Sequence, residues 1–346
     1  MKITIVLSIL ALPFWSATSV RAVTIDWVTV GNAGNAADPE TGHGAVSHAY
    51  RIGTYEVTNA QYAEFLNAVD PTGANVRSLY NTNMSSHVHG GITFDALALN
   101  SSKYQVKSAR GQVPVVFVSF FDAMRFSNWL QNGQGSGDTE TGAYTIYPDY
   151  AVRGAGSKVW IPTEDEWYKA AYHKNDGVTA NYFDYPTSSN VKPASAAPNS
   201  VNAPDIANTA NYWNDDGISN GYNDGFALTG VNFYVSSQYY LNNVGSYSLA
   251  ASPYGTFDQG GNVFEWCEER IDSIFRVDRG GSWRSGSFAN ELHVSYGGHI
   301  IAPTIESDLN GFRVASVPEP SAVHLASLAC LAFSMRLRHR QSRAAR

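Results

Sequence analysis

No segment of this 346-residue chain holds a helical or strand period for long; the periodic stretches are few and short, and no unit repeats. That excludes long helical bundles, coiled coils and repeat arrays, whose signatures are sustained periods. What remains is a domain of short helices and strands joined by long loops. Polar start signals mark where the helices begin. Thr58 with Gln61 and Thr163 with Glu166 are capping boxes, and Ser119 is followed by Asp122 in the first turn, where a negative group suits the helix dipole. Each signal leads into one apolar face: Tyr62, Phe65, Leu66 and Val69 before Pro71; Ala123, Phe126, Trp129 and Leu130; Trp167, Ala170 and Ala171. Residues 50–57, 114–118 and 159–161 read as strands, and 71–112, 131–157 and 174–210 as Gly-, Asn-, Ser- and Pro-rich loops. Loops of that length inside a compact domain are usually functional or held by ligands.

Both ends read as processing signals. Residues 1–22 have a basic start at Lys2, an apolar run from Ile3 to Trp15 and a small-residue end, the pattern of a secretory signal peptide. Residues 317–346 hold Val317-Pro318-Glu319-Pro320, an apolar stretch from Ser321 to Met335 interrupted by His324, and five arginines. This tail resembles the PEP-CTERM sorting signal of bacterial envelope proteins. The resemblance implies transient anchoring, cleavage by exosortase-type machinery, and an envelope or extracellular destination; the stretch is short for a membrane span. A domain over 23–316 then carries sixteen basic and twenty-nine acidic residues, a net charge of −13. Such a body is a poor partner for nucleic acid, whose binding rests on neutralising phosphates. Of the two cysteines, Cys330 lies in the tail, so the domain has Cys267 alone and no internal disulfide. An exported domain without disulfides needs another brace, and a bound metal is a natural one.

Six phrases follow one another along the domain: Tyr55-Glu56-Val57-Thr58-Asn59, the stretch from Pro114 to Trp129, Ile161-Pro162-Thr163-Glu164-Asp165-Glu166-Trp167, Gly260-Gly261-Asn262-Val263-Phe264-Glu265-Trp266, Arg279-Gly280-Gly281-Ser282-Trp283, and Gly311-Phe312-Arg313-Val314. In that order they resemble the formylglycine-generating-enzyme, or sulfatase-modifying-factor, family over roughly residues 25–316. The resemblance implies a C-type-lectin-like α+β fold with little regular secondary structure and calcium ions bracing the loops. Family enzymes oxidise a sulfatase cysteine to formylglycine with a copper ion held by two cysteines.

Calcium takes six to eight hard oxygens from carboxylates and carbonyls. The family pattern maps onto Asn211, Tyr212, Asp224 and Phe226 at one site, and onto Asp258, Gly261, Val263 and Glu265 at a second. Read without the family, these Asp-Gly and Asn-Gly clusters are equally ordinary turns. The catalytic pair is missing. The slots after the Gly-Gly-Ser-aromatic phrase hold Ser285 and Asn290, hard neutral groups where copper(I) wants thiolates, so no copper is expected. Cys267 is expected to pack rather than react.

Two functions follow. One is a calcium-braced surface or extracellular binding module for an unknown protein or glycan, its many Tyr and Trp residues serving recognition or simply core. The alternative is a diverged metal-dependent oxidoreductase acting on thiols. It would need another metal site, for which His87, His89, His293 and His299 are the available imidazoles, though they lack the helical His-x-x-x-His spacing of related iron enzymes. Trp213-Asn214-Asp215 is similar to a phrase at the calcium site of sugar-binding C-type lectins, without its Glu-Pro-Asn or Gln-Pro-Asp companion.

Overall fold

Each of the three start signals opens a helix. In the computed structural model, which describes residues 22–147, 151–272, 274–286 and 290–318, α1 runs Asn59–Val69. A short helix, α2, spans Asn83–Ser86, α3 runs Phe120–Gln131, and α4 Glu164–Tyr172. Thr58, Ser119 and Thr163 each accept from the backbone three residues on, and Gln61, Asp122 and Glu166 return the bond to the cap's own N–H. The leader and the sorting tail read from sequence lie outside the described residues, apart from Ala22, Val317 and Pro318.

The apolar faces meet as their spacing requires. Phe65 and Trp129 pack at 5.4 Å between ring centroids, Phe65 and Phe126 at 5.5 Å, and Phe126 meets Phe312 edge-on at 5.5 Å, so α1 and α3 share one core with the Gly-Phe-Arg-Val phrase. Two four-stranded sheets frame this core. The first runs Trp27–Val30, Tyr50–Gly53, Ala315–Ser316, Val159–Trp160, so both ends of the domain join one sheet, on either side of Tyr50–Gly53. The second runs His299–Ile301, Phe275–Arg279, Phe264–Ile271, Asn310–Gly311, with a bulge between Trp266 and Arg270. Four two-stranded ladders complete an α+β fold with little regular secondary structure.

Several segments differ from the sequence reading. The strand over 50–57 stops at Gly53, although Val57 still donates to Phe312 at 2.8 Å. Residues 114–118 are buried but form no strand: Phe117 has φ +62°, a left-handed conformation that a bulky residue rarely takes and that ends a ladder. The loop over 71–112 holds α2 and a small hairpin pairing Ile92–Phe94 with Tyr104–Val106. Among the described residues no helix is long and apolar enough to cross a membrane.

Candidate functional site

The second sheet carries the densest chemistry. Its strand Phe264–Ile271 puts Glu265 wholly inside the protein, and the Arg of the closing phrase, Arg313, is wholly buried beside it. Arg313 grips both oxygens: Nη2 donates to Glu265 Oε1 at 2.7 Å and Nε to Oε2 at 2.5 Å, while Trp167 Nε1 donates to Oε2 at 2.9 Å. Arg313 also reaches the carbonyls of Gly53, at 2.9 Å, and Phe257, at 2.8 Å, tying the first sheet to this centre. Two further buried carboxyls adjoin it. Glu56 accepts from Asn262 Nδ2 at 3.2 Å through Oε1, but its Oε2 has no hydrogen-bond partner. Asp258, 9% exposed, accepts from the Gly245 N–H at 2.5 Å. Burial, with the neighbouring Asp258 charge, holds Glu56 well above the usual carboxyl range; burial pushes Asp258 up to about 6. Three buried carboxyls thus share one guanidinium, an imbalance that protons or a further cation can relieve.

The four residues assigned to the second calcium site fall in or beside this centre, but their roles divide. Gly261 has φ +88°, and a Cβ there would stand 2.3 Å from the Asn211 carbonyl oxygen, so only glycine fits. Val263 is fully buried. Glu265 is committed to Arg313 and Trp167, and Asp258 and the unpartnered Glu56 oxygen supply the negative charge a cation would meet. The residues fit calcium by charge and oxygen chemistry, though Glu265 would have to share its oxygens with Arg313 and Trp167.

The first quartet is already taken up in hydrogen bonds, with the Tyr212 carbonyl joined to the Asp224–Phe226 strand through Ser195 Oγ, which also bonds the Gly225 carbonyl, and through the Ala227 N–H. Asn211, 2% exposed, turns its amide nitrogen to the Tyr240 carbonyl, at 2.9 Å, and to Asn242 Oδ1, at 2.6 Å, and its own carbonyl accepts from the Asn262 N–H. Tyr212 offers its carbonyl to Ser195 Oγ at 2.6 Å. Asp224 accepts from the N–H groups of Asn220 and Gly221 at 3.2 and 2.8 Å, and the Phe226 carbonyl accepts from Thr229 and Gly230 at 3.0 and 2.8 Å. Both are turn caps, which is the second way those Asp-Gly patterns can be read. The Trp213–Asp215 strand pairs with Asp224–Phe226; Asn214 there accepts from Lys192, and Asp215 from Asn232. With Gly217, Ile218, Val231 and Phe233 this hairpin walls an open cleft of about 410 Å³.

Ser285 and Asn290, at the positions where the family resemblance places cysteines, both have structural roles. Ser285, 3% exposed, accepts from the Ser282 N–H through Oγ at 2.7 Å, closing the turn after the Gly-Gly-Ser phrase. Asn290 accepts from the Tyr185 hydroxyl at 3.1 Å. Neither group is a soft thiolate, so these residues do not fit copper(I). Cys267 is fully buried in the Phe264–Ile271 strand, and burial holds its thiol well above the ordinary value, opposite to what a reactive cysteine needs.

The four histidines fall in three places. His293 stands at the surface, bonded to Ser295 at 2.7 Å. His299 lies 3.3 Å from Asp278 and 3.4 Å from Glu291, and these two carboxylates hold its imidazolium up to about 9. His87 and His89, by contrast, converge on Asp308. Sequence reasoning gave no role to Asp308, Glu56 or Arg313. The last two stand in quoted phrases, yet nothing local to either phrase says that they face Glu265 and Asp258.

A family model described as the sulfatase-modifying factor enzyme 1-like domain matches residues 27–317. Among solved structures, CarF is similar at 19% identity over 86% of this chain and 100% of its own, with a TM-score of 0.51. Treponema denticola variable protein 1 is 19% identical over 87% of this chain and 98% of its own, with a TM-score of 0.49. PvdO from Pseudomonas aeruginosa is 18% identical over 85% and 92%, with a TM-score of 0.43. At these identities structural likeness speaks to fold alone. No curated protein sequence matches the chain.

Proposed function

The chain belongs to the sulfatase-modifying-factor, or formylglycine-generating-enzyme-like, family, and from that premise we propose that it is a member without the copper-dependent cysteine oxidase reaction, acting as a calcium-braced binding module outside the cytoplasm. One observation carries the reading. Where family enzymes place two thiols, Ser285 and Asn290 are each absorbed into a hydrogen bond that holds a turn or loop in shape. A one-electron reaction at a thiolate-bound copper has no ligands there.

Calcium enters as the brace. The buried surplus of carboxylate at Glu56, Asp258 and Glu265 against Arg313 supports it, and the ion would draw on Asp258, Gly261, Val263 and Glu265. The set Asn211, Tyr212, Asp224 and Phe226 is the weaker candidate, because Asp224 and Phe226 already cap turns. Export, and release by exosortase-type processing, rest on the sequence patterns of residues 1–22 and 317–346. A recognition role is supported by the open cleft beside the Trp213–Asp215 hairpin, lined by Phe233 at 66% exposure. Its ligand class is extracellular protein or glycan.

The experiment is thermal melting of the purified chain with calcium and with chelator. A ligand that binds only the folded state stabilises it by RT ln(1 + [L]/Kd), about 2.7 kcal/mol at a hundredfold excess over Kd. The expected outcome is a higher melting temperature in calcium, with the increment abolished by Asp258→Ala and reduced less by Asp224→Ala. Coincident curves in calcium and chelator would remove calcium from the account.

A further inference from the structure

A second cluster has metal-ligand chemistry and lies apart from the calcium candidates. His89 is wholly buried, and its Nδ1 stands 2.8 Å from Asp308 Oδ2. His87 Nδ1 lies 3.9 Å from the same oxygen and accepts from the His89 N–H at 3.3 Å. We propose that His87, His89 and Asp308 form a binding site for a borderline divalent transition ion, with Zn²⁺ as its probe, independent of any calcium brace.

Four observations carry this. One ligand atom from each residue lies within 4.8 Å of the other two. Zinc bonds of about 2.0–2.2 Å to nitrogen and oxygen need only small side-chain rotations to close on such a set. Second, His89 Nε2 has no hydrogen-bond partner although the residue is fully buried. Buried polar atoms are rarely left so; one ring nitrogen of His89 is taken up by Asp308 and the other has no partner. Third, the site is reachable: the His87 side chain is 34% exposed and that of Asp308 21%. Fourth, its inner wall is aromatic. Trp283 lies 4.6 Å from the His89 ring, Tyr239 5.6 Å and Tyr240 5.8 Å, while Phe117 meets His87 edge-on at 5.2 Å. A dry wall strengthens every charge interaction inside it. The nearby cations have other partners: Lys107 donates to the His87 carbonyl at 3.3 Å, and the Arg110 guanidinium lies over the Tyr239 ring.

Two imidazoles and one carboxylate select a borderline ion over calcium, which prefers oxygen alone. Three protein ligands also leave a coordination position for water or an anionic ligand group. Trp283, from the Gly-Gly-Ser-Trp phrase, both packs on His89 and donates to the Asp308 carbonyl at 3.1 Å. The ion would therefore sit against the same phrase that precedes the vacated cysteine slots.

The test uses the untagged full-length chain, stripped with chelator and returned to buffer holding excess calcium. It is titrated with Zn²⁺ by calorimetry and with Co²⁺ by visible absorption. The expected result is one equivalent of each ion, with d–d bands showing nitrogen coordination for Co²⁺. His87→Ala and Asp308→Asn, both at partly exposed positions, should each weaken Zn²⁺ binding roughly tenfold or more while keeping the wild-type melting curve in calcium. His293→Ala should leave binding unchanged. Should either substitution unfold the chain, His87→Gln takes its place. Absence of uptake by the wild-type chain, or uptake untouched by the His87 and Asp308 variants, overturns the proposal.

Discussion

Glu265 shows how far one side chain can be read from its neighbours in sequence. The family resemblance makes it an expected oxygen ligand with Asp258, Gly261 and Val263; Arg313, 48 positions away, holds both of its oxygens. Removing one partner of a buried ion pair leaves the other charge stranded, at a cost of about 3–5 kcal/mol. Glu265→Ala is therefore expected to lose stability of that order in chelator as well as in calcium, as measured by urea denaturation. A loss confined to calcium-containing buffer would mean that the metal, not Arg313, is its principal partner. The same distance hides Asp308 from any local reading of His87 and His89, since it lies 219 positions from His89. In both cases the partner supplied from across the fold was not legible from the neighbouring sequence.

At the scale of elements, what was legible was whatever short-range chemistry dictates. Capping boxes are satisfied within one turn, so Thr58, Ser119 and Thr163 marked three helix starts correctly. The hairpin of Phe264–Ile271 with Phe275–Arg279 escaped notice because Phe264 to Cys267 are all buried, with no alternation to reveal a strand, and a bulge follows. The buried run 114–118 failed the other way: its composition suits a strand, but Phe117 turns left-handed to donate to the Ser307 carbonyl at 2.8 Å. The α4 cap gives a graded prediction. Thr163→Ala removes one cap bond and should cost about 1 kcal/mol. Glu166→Ala should cost clearly more in the same denaturation assay, because its carboxylate also accepts from Trp160 Nε1 and faces His48, both at 2.9 Å. Equal losses would show that the cap alone accounts for Glu166.

The whole molecule buries an unusual set of carboxyls, and this sets its response to pH. Burial pushes Asp122, Glu268 and Glu269 up to about 7 and Asp258 up to about 6. A carboxyl raised on folding contributes stability below its unfolded value, near 4, and loses it as pH rises through the folded value. His299, held up to about 9 by Asp278 and Glu291, loses its contribution as pH climbs from about 6.5 through that value. Asp165 and Glu166 run the other way: their burial is outweighed by His43 and His48 respectively, with backbone donors, and their contribution fades as pH falls below the usual carboxyl range. Stability in chelator should therefore be greatest near pH 4, between the fading of Asp165 and Glu166 and the loss at the raised carboxyls, and decline toward pH 8; calcium should flatten the decline, since a bound cation would replace the protons at Glu56 and Asp258. A melting temperature that rises from pH 5 to pH 8 in chelator would contradict this balance.

The family's reaction can be sought directly. Purified chain is incubated with a cysteine-containing sulfatase peptide, copper(I) and dioxygen, and the peptide is followed by mass spectrometry for aldehyde alongside oxygen uptake. With a hydroxyl at position 285 and an amide at 290, the predicted result is unchanged peptide and oxygen consumption at the rate of copper alone; turnover of the thiol to formylglycine would contradict the account at its centre.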